Sequence, residues 1–148
     1  MRDERRGDGS DNLRVVFDTN IYFSAFRNPE GVLAQIFRAG ATHRCRVILS
    51  REIIDEFADA CREKLGTREE KIQEDIKAIV HAATEIVRLG PLPDAIPDDP
   101  DDNHVLAAAL AGQADLIVSG DRHLLSLKNY EDIPIVRPRD VLRTLGSA

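Results

Sequence analysis

Short β-branched runs alternate with helix-periodic apolar positions along the chain from Leu13 onward. Leu13 to Phe17 reads as a buried strand ending at Asp18. Asn20 to Phe26 and Val32 to Ala39 carry helical patterns, separated by the helix-breaking pair Asn28-Pro29. Val47 to Leu49 predicts a second buried strand that stops at Ser50. In residues 51 to 65, Ile53, Ile54, Phe57, Cys61 and Leu65 recur at helical spacing, and Gly66 closes the helix. Thr67 and Glu70 then have the spacing of a capping box for a helix running to about Ala82, with Ile72, Ile76, Ile79 and Val80 on one face. Thr84 to Leu89 predicts a third strand. The stretch from Pro91 to Pro100 holds four prolines and predicts a loop. Asp102 to Ala111 is apolar almost all round, which predicts a central, buried helix. A strand at Leu116 to Ser119, a short helix at Asp121 to Leu125, a strand at Ile133 to Val136 and a helix at Arg139 to Leu145 complete the pattern.

This alternation implies an α/β fold with a parallel sheet covered by helices on both faces. The 148 residues suggest one domain, spanning 13–148, and the polar residues 1–12 read as a disordered tail. With 43% hydrophobic and 31% charged residues the chain is too apolar for a disordered protein. The longest apolar run, Val105 to Ala111, falls well short of the ~18 residues a membrane span needs, so no membrane association is expected. Cys45 and Cys61 form no CxxC, which argues against a disulfide framework or a cysteine zinc site. Reduced thiols and the lack of an export signal at the start of the sequence point to the cytoplasm.

The net charge of −6 argues against binding nucleic acid through a bulk basic surface. Acids gathered in one site and neutralised by a cation would change that inference, so their placement matters more than their sum. In an open parallel sheet, ligands bind at the carboxyl ends of the strands. The residues at those ends are Asp18, Thr19 and Asn20; Ser50, with Glu52, Asp55 and Glu56 in the next helix; and Ser119, Gly120 and Asp121, while Asp101, Asp102 and Asn103 open the buried helix. Carboxylates from distant positions would converge at one rim, where like charges crowd and a divalent cation relieves them. All-oxygen ligands suit Mg²⁺ or Mn²⁺, and the chemistry such a site suggests is phosphodiester hydrolysis.

Plainer readings stand beside these. Asp18 and Asp102 are also natural helix caps, Asp121 is also a turn residue, and Asp98-Asp99 reads as solvated loop charge. At about 100° per residue, Asp55 and Glu56 lie equally far from the apolar stripe of their helix, so periodicity does not choose between them. His43, His81, His104 and His123 show no metal-binding spacing and read as surface or structural. Nucleotide-binding glycine loops and GxSxG are absent. Arg38, Arg44, Arg46 and Arg51 form an acid-free stretch that reads mostly as a solvated face; Arg51 and Arg122 follow strand ends and are the candidate phosphate contacts.

Asp18-Thr19-Asn20 after a strand, Leu49-Ser50-x-x-Ile53-Ile54-x-Glu56, Asp99-Pro100-Asp101-Asp102-Asn103 opening a helix, and Val118-Ser119-Gly120-Asp121, in this order, resemble the PIN domain family, with a likeness to the VapC-like toxins of bacterial toxin–antitoxin systems. The resemblance spans roughly residues 13 to 142. It implies a Rossmann-like three-layer fold with a central parallel sheet of about 4–5 strands. It further implies a Mg²⁺- or Mn²⁺-dependent ribonuclease whose metal-binding, catalytic acids match Asp18, Glu56, Asp102 and Asp121, with Asn20 and Ser119 orienting them. Matching Glu56 favours it over Asp55. Asp99 and Asp101 lie close enough to Asp102 to leave the register of the third acid open. RNA substrate, a cognate antitoxin protein and a homodimer are the partners the resemblance implies. Two rivals stand: a non-catalytic binding module on this fold, and a phosphatase-type hydrolase, against which Asn20 counts because that chemistry wants a second Asp there.

Overall fold

A computed structural model describes residues 13–42, 45–96 and 100–145. The tail expected at residues 1–12 and the Asp98-Asp99 pair lie outside these. The chain order is β1 (Arg14–Phe17), α1 (Thr19–Arg27), α2 (Val32–Ala41), β2 (Arg46–Ser50), α3 (Arg51–Leu65), α4 (Glu69–Ala82), β3 (Glu85–Val87), α5 (Pro100–Ala111), β4 (Leu116–Val118), α6 (Arg122–Leu127), β5 (Asn129–Tyr130), β6 (Ile133–Val136) and α7 (Pro138–Leu145). One sheet forms in the order β3-β2-β1-β4-β6-β5. Five strands are parallel, as the alternating pattern predicts, and β5 runs antiparallel to β6.

The sheet core is built from the shortest, most apolar segments. Val15, Val16, Leu49, Ile117 and Val118 are fully buried. Helix α5, as expected, is central and largely buried, with Ala108 and Ala109 wholly buried and Leu110 exposed near its end. It packs on β1, β2 and β4. Its small residues allow that close approach, and Gly112 at its end is required: a Cβ there would stand 2.7 Å from Ile48 Cγ2. Tyr22 stacks edge-on against Phe17 and Phe37, and Phe26 against Phe57, tying α1 to β1, α2 and α3.

The strand order reverses between β1 and β4, the topological switch point where such sheets bind ligands. Phe17 pairs with Val118 across that line, so Asp18 and Ser119 emerge from the sheet side by side.

Three local expectations change. The capping box at Thr67 and Glu70 does not form: α4 starts at Glu69 behind Arg68, with no side-chain cap. The N–H of Thr67 instead bonds Cys61 O at 3.1 Å, so this residue closes α3 beside Gly66, whose φ is +60°. Val80 turns outward, and the buried stripe of α4 is Ile72, Asp75, Ile79 and Ala82; Asp75 is tolerated there because its carboxylate accepts from Lys71 Nζ at 2.8 Å. Strand β5 has no alternating pattern to announce it. It exists because Glu131 and Asp132 both adopt positive φ (49° and 67°) and fold the chain tightly into β6. Among the described residues no helix is long and apolar enough to cross a membrane.

Candidate functional site

Asp18 ends β1 and caps α1: its Oδ1 accepts from the Asn20 N–H at 2.7 Å. Its Oδ2 accepts from Ser119 Oγ at 2.5 Å. Ser119 is completely buried, and the same hydroxyl oxygen accepts from the Asp121 N–H at 2.9 Å. One serine thus joins the carboxylate after β1 to the turn after β4. Asp121 in turn caps α6, its Oδ1 accepting from the N–H groups of His123 (2.7 Å) and Leu124 (3.2 Å). Capping and site placement coexist in both aspartates. In Asn20 the group that holds Asp18 is the backbone amide.

Glu56 reaches the same place from α3. Its Oε2 accepts from Thr19 Oγ1 at 3.1 Å, and its Oε1 is in direct contact with His104 Nδ1 of α5. Its side chain is 17% exposed, against 63% for Asp55. Asp102 lies buried in the first turn of α5. Next to it, Asn103 is buried and clamps the incoming loop, donating to Ile96 O and accepting from Ile96 N–H, both at 3.1 Å.

Asp18, Glu56, Asp102 and Asp121, drawn from four segments, line one cleft of about 610 Å³ together with Thr19, Asn20 and His104. Helix α3 extends one wall with Glu52, Asp55, Asp59 and Glu63. Among the described lining residues eight are acidic, and Lys64 is the sole lysine or arginine. Hydrogen bonds from Ser119, Thr19 and backbone amides offset part of that repulsion. The donor set also fits a metal ion: Asp102, Asp121 and His123 each offer a ligand atom, all within 4.8 Å of one another.

Both phosphate-contact candidates lie outside this cleft. Arg51 is turned to Asp55 at 3.8 Å and borders a separate hollow against α4. Arg122 lines a groove on the other side of Asp121. Asp99 lies outside the described residues, and Asp102 lines the cleft.

Sequence spacing missed His104 and His123, which read as surface or structural. The signal for His104 was its position: a ring at the head of a helix that is apolar from Val105 onward needs a polar partner, here Glu56, 48 residues away. Thr19 and Asn103 were likewise passed over as supports.

Residues 14–123 match the family model described as PIN domain. In three dimensions the chain is similar to the crystal structure of PAE2754 from Pyrobaculum aerophilum, with a TM-score of 0.60, 15% identity, and 97% of this chain and 96% of that chain covered. No curated protein matched the sequence. The matched span contains the whole acidic rim, from Asp18 to Asp121, and on this evidence the chain belongs to the PIN domain family, whose members are generally nucleases.

Proposed function

We propose that this protein is a metal-dependent endoribonuclease of the toxin-like PIN branch, acting on cytoplasmic RNA and held in check by a cognate antitoxin. The observation that carries the nuclease reading is the convergence of Asp18, Glu56, Asp102 and Asp121 on one cleft at the switch point of the sheet. In this reading Asp102 and Asp121, with Asp18 and Glu56 beside them, hold Mg²⁺ or Mn²⁺. When bound there, a divalent cation lowers the pKa of a coordinated water and polarises a phosphoryl oxygen. The chain's own residues do the rest. Ser119 fixes the carboxylate of Asp18 and the backbone of Asp121 with one hydroxyl, so the two acids keep a constant separation. Thr19 and His104 hold both oxygens of Glu56, which sets its orientation toward the cleft. Asn103 anchors the loop that delivers Asp102. A homodimer belongs to this reading as its quaternary state.

The test is cleavage of a panel of single-stranded RNAs with Mn²⁺ or Mg²⁺. Metal-dependent internal cuts that stop with EDTA support the reading. Absence of cutting with either metal, in a folded sample that binds the metal, would make the protein a binding module.

A further inference from the structure

We infer that the groove on the far side of Asp121 is the track along which single-stranded RNA enters the cleft, a proposal that rests on the nuclease reading. The groove holds about 720 Å³ and is lined by Arg122, Arg137 and Arg139, with Leu125 and Pro138 as apolar lining. It abuts the acidic cleft directly, because Gly120 and Arg122 line the groove while Asp121, between them, lines the cleft.

The charge on the two sides of the site is opposite. The α3 wall presents Glu52 and Glu63, which repel a phosphate backbone, beside Asp55 and Asp59, whose charge Arg51 and Arg62 partly offset. A strand leaving the metal site is therefore driven away from α3 and toward the three guanidinium groups. Arg137 and Arg139 flank Pro138 at the turn from β6 into α7, and the Arg137 carbonyl is fixed by the N–H groups of Asp140 (3.0 Å) and Val141 (3.3 Å). Among the described residues none of the three arginines forms an ion pair, in contrast to Arg14, Arg51, Arg62 and Arg68. Among the described residues that line the hollow three are arginines and none is an acid, which is the arrangement a polyanion completes. Arginine also suits this ligand by shape: its planar fork meets phosphate oxygens, and its flat face stacks on bases splayed from a single strand. Leu125 and Pro138 offer apolar surface for the same bases. The overall charge of −6 is thus compatible with RNA binding, because the attraction is local.

The test measures binding of a short fluorescein-labelled single-stranded RNA by anisotropy, in EDTA so that nothing is cut, over a range of salt. The double variant Arg137→Gln/Arg139→Gln should bind on the order of tenfold more weakly, with a log–log salt slope shallower by about 1.4, or roughly 0.7 per lost phosphate contact. A control of equal charge change, Lys77→Gln/Arg88→Gln, should bind as the wild type does. The inference is overturned if the groove variant binds like the wild type, or if the control loses as much. It is also overturned if poly-glutamate binds in the same arginine-dependent way and more tightly than RNA, which would make the groove a seat for an acidic protein segment. The nuclease reading is separable from this one. Arginine-dependent binding without metal-dependent cutting sustains the groove and sinks the nuclease; cutting by a protein whose groove variant binds normally does the reverse.

Discussion

The two ends of the central sheet handle charge in opposite ways. At the amino-terminal end, Arg14 is buried, and its guanidinium donates to Gly112 O at 2.9 and 2.7 Å while it pairs with Glu85 at the start of β3. Its backbone N–H donates to Asp115 Oδ2 at 2.9 Å, just before β4. One cation, two acids and a carbonyl satisfy one another within the protein. At the carboxyl-terminal end the same strands deliver Asp18 and Asp121, and α3 and α5 add Glu56 and Asp102. The partners there are hydroxyls, a histidine and backbone amides, and the lining is dominated by one sign of charge. A closed network serves stability, because a buried charge without its partner is costly. A crowd of carboxylates is a poor stability device and a good receptor for a cation from solution.

The sharpest way to break this contrast is to remove one charge from each end. Asp18→Asn should reduce RNA cleavage by at least about 100-fold, since the metal loses an anionic ligand. Its amide oxygen can still cap α1, so the melting temperature should stay within about 3 °C. Arg14→Met should do the opposite. It strands the buried Gly112 O and should cost about 2–3 kcal/mol, a fall in Tm of roughly 5–10 °C, while Mn²⁺ affinity is retained. Thermal unfolding and metal titration on both variants check the pair; similar effects from both would erase the distinction.

A second measurement concerns the metal alone. Mn²⁺ at about 100 times its Kd should stabilise the wild type by about 2.7 kcal/mol, a Tm rise of roughly 5–10 °C that EDTA reverses. Asp102→Asn and Asp121→Asn should each lose most of that rise. Without metal neither variant should melt below the wild type, because neutralising one acid relieves crowding; a Tm unmoved by Mn²⁺ in all three proteins would mean the rim is no metal site.

The fold was readable where local pattern and tertiary role coincide. The run Val15–Phe17 followed by Asp18 announces both a buried strand and a polar group at its end, and the register with Val118 then brings Ser119 to it. That Glu56 is the half-hidden, hydrogen-bonded acid of the pair and Asp55 the exposed one was not readable from periodicity. It depends on Thr19 and His104, contributed by α1 and α5, and no helical period encodes such partners. His104 and His123 escaped for the same reason, since their neighbours are close in space and distant in sequence or hidden in a turn. Strand β5 escaped because a two-residue strand has no period at all. The expected capping box failed because the closing of α3 and the opening of α4 compete for Thr67.

The pair on α3 offers a smaller test of the acidic end. Glu56→Gln should lower cleavage by about tenfold or more, as the metal site loses charge and the contact with His104 weakens, while Asp55→Asn should change it by less than about twofold. Single-turnover cleavage of one RNA substrate by both variants decides it. Equal losses would mean that the exposed wall of α3, and not the four converging acids alone, takes part in the reaction.

The smallest effect is expected at the closed end. Cys45 immediately precedes β2, at the amino-terminal rim, and is 1% exposed. Burial pushes its thiol from the ordinary 9.0 up to about 12, and burial together with the neighbouring Cys45 raises the buried Tyr22 hydroxyl as well. The folded pKa lies above the unfolded one, so this stabilisation is complete below pH 9.0 and is lost as the pH climbs toward about 12. At pH 8 the folded chain therefore presents almost no thiolate there, and iodoacetamide should leave Cys45 unmodified over hours while alkylating it fully in denaturant. Cys61, also buried and also shifted upward, chiefly by burial, should behave alike. Peptide mass spectrometry reads the two sites separately. Labelling of Cys45 in the native protein, at the rate seen in denaturant, would show that the amino-terminal end opens as freely as the cleft, and the division between a sealed end and a receptive end would no longer hold.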